Sequence, residues 1–169
     1  MTHIAYIGLG SNLEDPLSQI QRAFAELGQL PGTQLAARSS LYRSAPLGSP
    51  DQPDIQVQPD FVNAVAKIAT ELEPQALLKT LLQIEHSHGR ERNFQNAPRT
   101  LDLDVLLYDE VRLHAHGLTI PHPQMHRRAF VLQPLLEIAP DCAIPGIGQA
   151  ADAMKNCMDQ ILEKLPSDD

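Results

Sequence analysis

Apolar residues alternate with small and polar ones at the start of the chain. His3-Ile4-Ala5-Tyr6-Ile7-Gly8-Leu9 reads as a strand, with Gly10-Ser11-Asn12 as the turn after it. Asp15-Pro16 marks a helix start, aspartate as the cap and proline at the first helical position. Ile20, Ala23, Phe24 and Leu27 follow at helical spacing, and Gly28 ends the run. Residues 33–43 read as a second strand. Residues 47–60 hold Gly48, Pro50, Pro53 and Pro59 with no period, so a loop is expected there, long enough for a binding or lid role. Phe61 to Ile68 is a third strand. Pro74 opens a second helix, with Leu77, Leu78, Leu81 and Ile84 as its apolar stripe and Gly89 as its end. Residues 90–98 form a polar second loop, and Thr100 to Tyr108 a fourth strand. An apolar segment follows at Phe130 to Ile138, and a last helix is expected over Ala151 to Leu165.

The order of the first 108 residues is therefore β-α-β-β-α-β. That order predicts an α/β (α+β) fold: a ferredoxin-like core, a mainly antiparallel sheet with its helices on one face, and extra C-terminal elements. A length of 169 residues predicts one domain spanning 1–169.

The sharpest chemistry lies in the fourth strand, Arg99-Thr100-Leu101-Asp102-Leu103-Asp104-Val105. Alternation puts Asp102 and Asp104 on one face and the leucines on the other. Carboxylates about 7 Å apart along a strand repel unless a cation lies between them. A hard divalent ion such as Mg²⁺ suits such a pair. The competing reading is the exposed polar face of an edge strand. Arg90, Arg92 and Arg99 precede the pair and Arg127 and Arg128 follow it. Guanidinium forks match phosphate oxygens. No Gly-x-x-x-x-Gly-Lys-Ser/Thr loop exists, so a bound nucleotide would be held by arginines and metal. His122, between Pro121 and Pro123, could donate to a phosphate or act as acid or base; a loop histidine with no task is the other reading. Arg112, His114, His116 and His126, each taken alone, read as solvated residues. His86 and His88 stand at a helix C-terminus, where a cation is favoured anyway. Asn63 interrupts an apolar strand and needs partners, either core groups or the edge of a polar heterocycle.

Charge sharpens this picture. The chain carries 13 basic and 21 acidic residues, a net charge of −8, which argues against nucleic-acid and anionic-membrane binding. Yet His86 to Phe130 carries +1 and holds six of the seven histidines. The two cysteines, Cys142 and Cys157, lack metal-ligand spacing. No basic flank precedes a long apolar run, so a soluble cytoplasmic protein is expected.

The sequence resembles the 6-hydroxymethyl-7,8-dihydropterin pyrophosphokinases of folate biosynthesis. The residues that carry the resemblance are Gly10-Ser11-Asn12-Leu13, Tyr42 through Gly48, Phe61-Val62-Asn63-Ala64, Glu85 with Gly89-Arg90, Pro98 through Asp104, Pro121-His122 and Arg128-Ala129-Phe130. The resemblance implies transfer of a pyrophosphoryl group from Mg²⁺-ATP to the pterin hydroxymethyl oxygen, with release of AMP. By it, Asp102 and Asp104 hold two Mg²⁺ ions, while Arg90, Arg92, Arg99, His122 and Thr119 serve the nucleotide. Ser44, Leu47, Phe61, Asn63 and Phe130 form the pterin pocket, Arg128 guards its mouth, and Glu85 orients arginines from behind. ATP and the dihydropterin are the implied partners, with no nucleic acid or membrane, and a monomer is expected. The rival functions are a metal-dependent phosphohydrolase and a non-catalytic ligand-binding module. The chain departs from the family in having no tryptophan before Pro98, where Phe94 stands nearby. Pro123 and Phe61 also occupy positions where relatives carry aromatics and tyrosine.

Overall fold

The computed structural model describes residues 2–12, 15–44, 61–88, 101–115 and 117–166. The expected loops at 47–60 and 90–98, and with them Leu47, Arg90, Arg92 and Arg99, lie outside the described residues.

The main sheet is built from β1 (His3–Ser11), β2 (Thr33–Arg38), β3 (Tyr42–Ser44), β4 (Phe61–Thr70), β5 (Asp102–Tyr108) and a two-residue β10 (Glu163–Lys164). Its order is β10-β3-β4-β1-β5, with β2 also beside β4, and every one of these pairs is antiparallel. Two small hairpins lie apart from it: β6 (Leu113–Ala115) with β7 (Leu118–Ile120), and β8 (Ala143–Ile144) with β9 (Gly148–Gln149). The helices are α1 (Pro16–Leu27), α2 (Pro74–Ser87), α3 (Ala129–Ile138) and α4 (Ala150–Lys155), with a 3₁₀ turn at Met125–Arg127.

Alternation along β1 divides the core. Ala5, Ile7 and Leu9 point to one face and pack with Ile20, Phe24 and Leu27 of α1, Leu77 and Leu81 of α2, and Leu103 and Val105 of β5. On the other face Val65, Leu106 and Leu107 pack with Leu132 and Leu135 of α3 and Ala150 and Ala153 of α4. The ferredoxin-like pair of helices covers one face, and the C-terminal elements add a third layer on the other.

Several boundaries differ from the sequence reading. β1 runs on through Gly10 and Ser11, because both pair with β4. The expected strand at 33–43 is two strands joined by Ser39, whose N–H donates to Val65 O and whose Oγ accepts from Val65 N–H, both at 2.9 Å. Asp15 precedes α1 with φ 63° and makes no side-chain cap, so Pro16 alone marks the start. The last helix ends at Lys155; the chain then turns and returns to pair Glu163 and Lys164 with β3. His88 stands at the C-terminus of α2 as expected, but its partners come from another helix. It is buried, with both ring nitrogens hydrogen-bonded to α1, to Gln19 Oε1 and Glu26 Oε1. Among the described residues, no helix is long and apolar enough to cross a membrane.

Candidate active site

The site lies on the face of the sheet that carries α3, toward one end of β1, β4 and β5. Asp102 and Asp104 stand there, half-buried, while Leu103 and Val105 are buried behind them. Their cross-strand partners on β1 are Gly10 and Gly8. Gly10 in turn pairs with Asn63 of β4, which pairs with Tyr42 of β3. One row thus crosses the sheet as Tyr42, Asn63, Gly10, Asp102. At ordinary strand spacing, Asn63 and Asp102 are about 10 Å apart with no side chain between them. The glycine floor is close-fitting: a Cβ on Gly10 would lie 3.3 Å from Asn63 Oδ1.

Asn63 is 4% exposed, and its Nδ2 donates to Ser44 Oγ at 2.7 Å. A hydroxyl that accepts one bond still carries its own donor. Phe61 sits opposite Ser44 on the neighbouring strand, half-buried at the rim. Arg128 leads into α3 in extended conformation, with its guanidinium carbon 5.6 Å from the centre of the Phe130 ring. This is a cation–π arrangement that keeps the ring and the charge together.

His122 hangs from the same region. Its N–H donates to Leu106 O at 3.0 Å, and its Nδ1 accepts from Gln124 N–H at 3.1 Å. Burial lowers the imidazole pKa, the Arg128 charge lowers it further, and the Asp102 charge opposes both. A neutral ring whose Nδ1 accepts must carry its proton on Nε2, which makes that atom a donor. Thr119 presents Oγ1 to His114 Nδ1 at 2.8 Å.

Glu85 is expected to orient arginines, of which Arg90, Arg92 and Arg99 lie outside the described residues, but its tie to β5 is described. It is 2% exposed, near the end of α2, and its Oε2 accepts from Leu103 N–H at 2.6 Å. β5 is the sheet edge, so this bond satisfies an outward N–H that lies between the two aspartates in sequence. Sequence reading missed two further contributors. The first is the Gly8–Gly10 floor, whose second glycine becomes strand only by pairing with β4. The second is Glu137 of α3, which accepts from Ser40 N–H at 3.0 Å, Ser40 Oγ at 2.8 Å and Tyr42 Oη at 2.7 Å. No local motif announces a contact 95 residues apart.

The carboxylate pair fits a hard cation: two carboxylates on one face of β5, with Gly10 and Gly8 as their cross-strand partners. Among the described residues no cluster of three His, Cys, Asp or Glu side chains forms. Two carboxylates are donors that Mg²⁺ could use, since it fills the rest of its shell with water and substrate phosphates.

Comparison with known proteins follows the same line. The chain is 47% identical over 161 residues to the 2-amino-4-hydroxy-6-hydroxymethyldihydropteridine pyrophosphokinase of Haemophilus influenzae, covering 95% of this chain and 97% of that one. It is 44% identical over 166 residues to the protein of that name from Pseudomonas aeruginosa, covering 98% and 99%. In fold it is similar to HPPK-DHPS of Plasmodium falciparum with pteroate, at a TM-score of 0.71 and 12% identity, covering 94% of this chain and 45% of that longer one. The family model for 7,8-dihydro-6-hydroxymethylpterin-pyrophosphokinase (HPPK) matches residues 6–140. Matched across most of its length by that model, and nearly end to end by relatives of that name, the chain belongs to the 7,8-dihydro-6-hydroxymethylpterin-pyrophosphokinase family.

Proposed function

We propose that this chain transfers a diphosphoryl group from ATP to the hydroxymethyl oxygen of 6-hydroxymethyl-7,8-dihydropterin, releasing AMP, as a step of folate biosynthesis. The observation that carries this reading is the row across the sheet: an anchored amide at Asn63 and a carboxylate pair at Asp102 and Asp104, separated by bare glycine backbone. A flat heterocycle at one end and a metal-bound polyphosphate at the other would meet over that floor.

In this reading Asn63 binds the polar edge of the pterin, with Ser44, Leu47 and Phe61 beside it. Phe130 stacks on the ring and Arg128 covers the entrance. Asp102 and Asp104 would hold Mg²⁺, which when bound neutralises phosphate charge. His122 donates Nε2–H to a phosphate oxygen, while Arg90, Arg92, Arg99 and Thr119 hold the rest of ATP. Attack falls on the β-phosphorus, so charge builds on oxygens between two phosphates. Donors fixed before the reaction stabilise it by position and electrostatics. Glu85 orients the arginines from behind and supports β5 between the two aspartates. Residues 1–169 act as one domain and as a monomer, in the reducing cytoplasm that suits the free thiols of Cys142 and Cys157.

The test is product identification with ATP, Mg²⁺ and the dihydropterin. AMP and the pterin diphosphate should appear in equal amounts. ADP or free phosphate with no pterin product would instead favour a phosphohydrolase. Asp102→Ala and Asp104→Ala should each remain folded by circular dichroism and lose about 10³-fold in turnover. Near-normal turnover in either removes the metal assignment.

A further inference from the structure

The fold gathers side chains that this reaction does not use. Arg112 lies just before β6, His114 on it, and His126 in the 3₁₀ turn. They line one solvent-open cavity of about 370 Å³, together with Thr119, His122 and the Pro145–Ile147 turn. Among the described residues no aspartate or glutamate lines it, although the chain as a whole is at −8.

Arg112 reaches the cavity because of Gly146. That glycine has φ +80°, and a Cβ built on it would stand 3.1 Å from both Cζ and Nη2 of Arg112. The guanidinium therefore lies flat on backbone. His114 shares its Nδ1 with Thr119 Oγ1 at 2.8 Å, which leaves Nε2 for a ligand. The donors come from three separate segments and face one space. A metal is a poor occupant, since no three ligating side chains stand together among the described residues. An apolar guest would leave a guanidinium and imidazoles unmatched. A compact anion matches them: guanidinium forks pair with oxyanions, and imidazole and hydroxyl groups add donors.

We propose that this cavity is a second anion site, separate from the carboxylate face of β5, and that it takes a compact oxyanion of the phosphate class, of orthophosphate to diphosphate size. Thr119 and His122, both assigned to ATP above, are the shared wall. His122 also interacts with Arg128 and Asp102 of the proposed active site. Occupancy of the second site therefore bears directly on residues assigned to ATP.

The probe is inorganic pyrophosphate, titrated into the full chain after saturation with Mg²⁺ and a non-hydrolysable ATP analogue. The ring-proton resonances of His114 and His126 are read by NMR, assigned with His114→Gln and His126→Gln. Both should shift saturably. Arg112→Ala should weaken the apparent affinity about tenfold or more, the loss of a charged hydrogen-bond donor, and Arg112→Lys by less. Neither variant should change AMP formation measured without added pyrophosphate. Three results overturn the proposal: no saturable shift, a shift indifferent to Arg112→Ala, or a shift seen without the ATP analogue and abolished by it. The last would make the cavity part of the nucleotide site.

Discussion

Asn63 and Gly10 show how little room a single residue has here. The Asn63 amide is hydrogen-bonded to Ser44, and its Oδ1 lies 3.3 Å from where a Cβ on Gly10 would stand. A Cβ contact of 3.3 Å is tight enough that Gly10→Ala must push the amide aside by a few tenths of an ångström. Strand backbone accepts alanine, so the fold should survive. The expected result is a loss in dihydropterin affinity of about tenfold, comparable to the loss of one well-placed hydrogen bond, with ATP affinity unchanged. Asn63→Ala should show the same bias more strongly. Calorimetry with each ligand decides the point: equal losses for both ligands would take Asn63 out of the pterin pocket. Glu85 makes the complementary case. Removing its carboxylate with Glu85→Ala leaves the Leu103 N–H buried without its acceptor, a cost of about 1–3 kcal/mol. The urea midpoint should fall accordingly, and turnover should fall with it because the strand between the aspartates loses its outer support.

At the scale of elements, two carboxylates tie helices to the sheet beside the site: Glu85 from α2 and Glu137 from α3. Burial pushes the Glu137 carboxyl up, but hydrogen bonds from Tyr42 and Ser40 and the charge of Lys164 outweigh it, and its pKa lies below the ordinary 4.5. The sign follows from linkage. The unfolded chain holds that proton at higher pH than the folded one, so the stabilisation is complete above the ordinary carboxyl range and is lost as pH falls below it. Glu137→Gln should lower the urea midpoint at neutral pH, and the gap to the parent protein should close as pH drops below about 4. A constant gap across that range would mean that Glu137 does not titrate with folding. These ties also mark what the sequence could and could not convey. The strand at Asp102 to Tyr108 and the stripe of α2 were legible because period and spacing are local properties of the chain. The aspartates' common face followed from alternation alone. The glycine floor was hidden because Gly10-Ser11-Asn12 carries the same composition as a turn, and only pairing with β4 makes it strand. The last helix was overextended because its apolar positions past Lys155 serve a turn and an edge strand, a tertiary choice that local propensity does not record. The helix-end place of His88 was legible, but not its burial against Gln19 and Glu26, which lie more than 60 residues away.

The whole molecule divides its labour between the two layers that sandwich the sheet. The layer of α1 and α2 buries Leu81 and carries Glu85, which supports the strand of Asp102 and Asp104. The layer of α3 and α4 buries Leu132 and carries Arg128 and Phe130 at the front of α3. In the proposed function each substrate therefore leans on a different core. Leu81 and Leu132 are both fully buried. Truncating either to alanine should cost about 2–5 kcal/mol, the transfer term plus the cavity left behind. Their kinetic consequences should separate. Leu132→Ala loosens the seat of α3 and should raise KM for the dihydropterin, while Leu81→Ala loosens α2 and should act mainly on KM for Mg²⁺-ATP. Both are to be measured at a temperature where urea titration shows each variant still folded, because a partly unfolded population would lower turnover without touching KM. If both substitutions moved both KM values alike, the sheet would be transmitting strain between its faces, and the two layers would have to be treated as a single core.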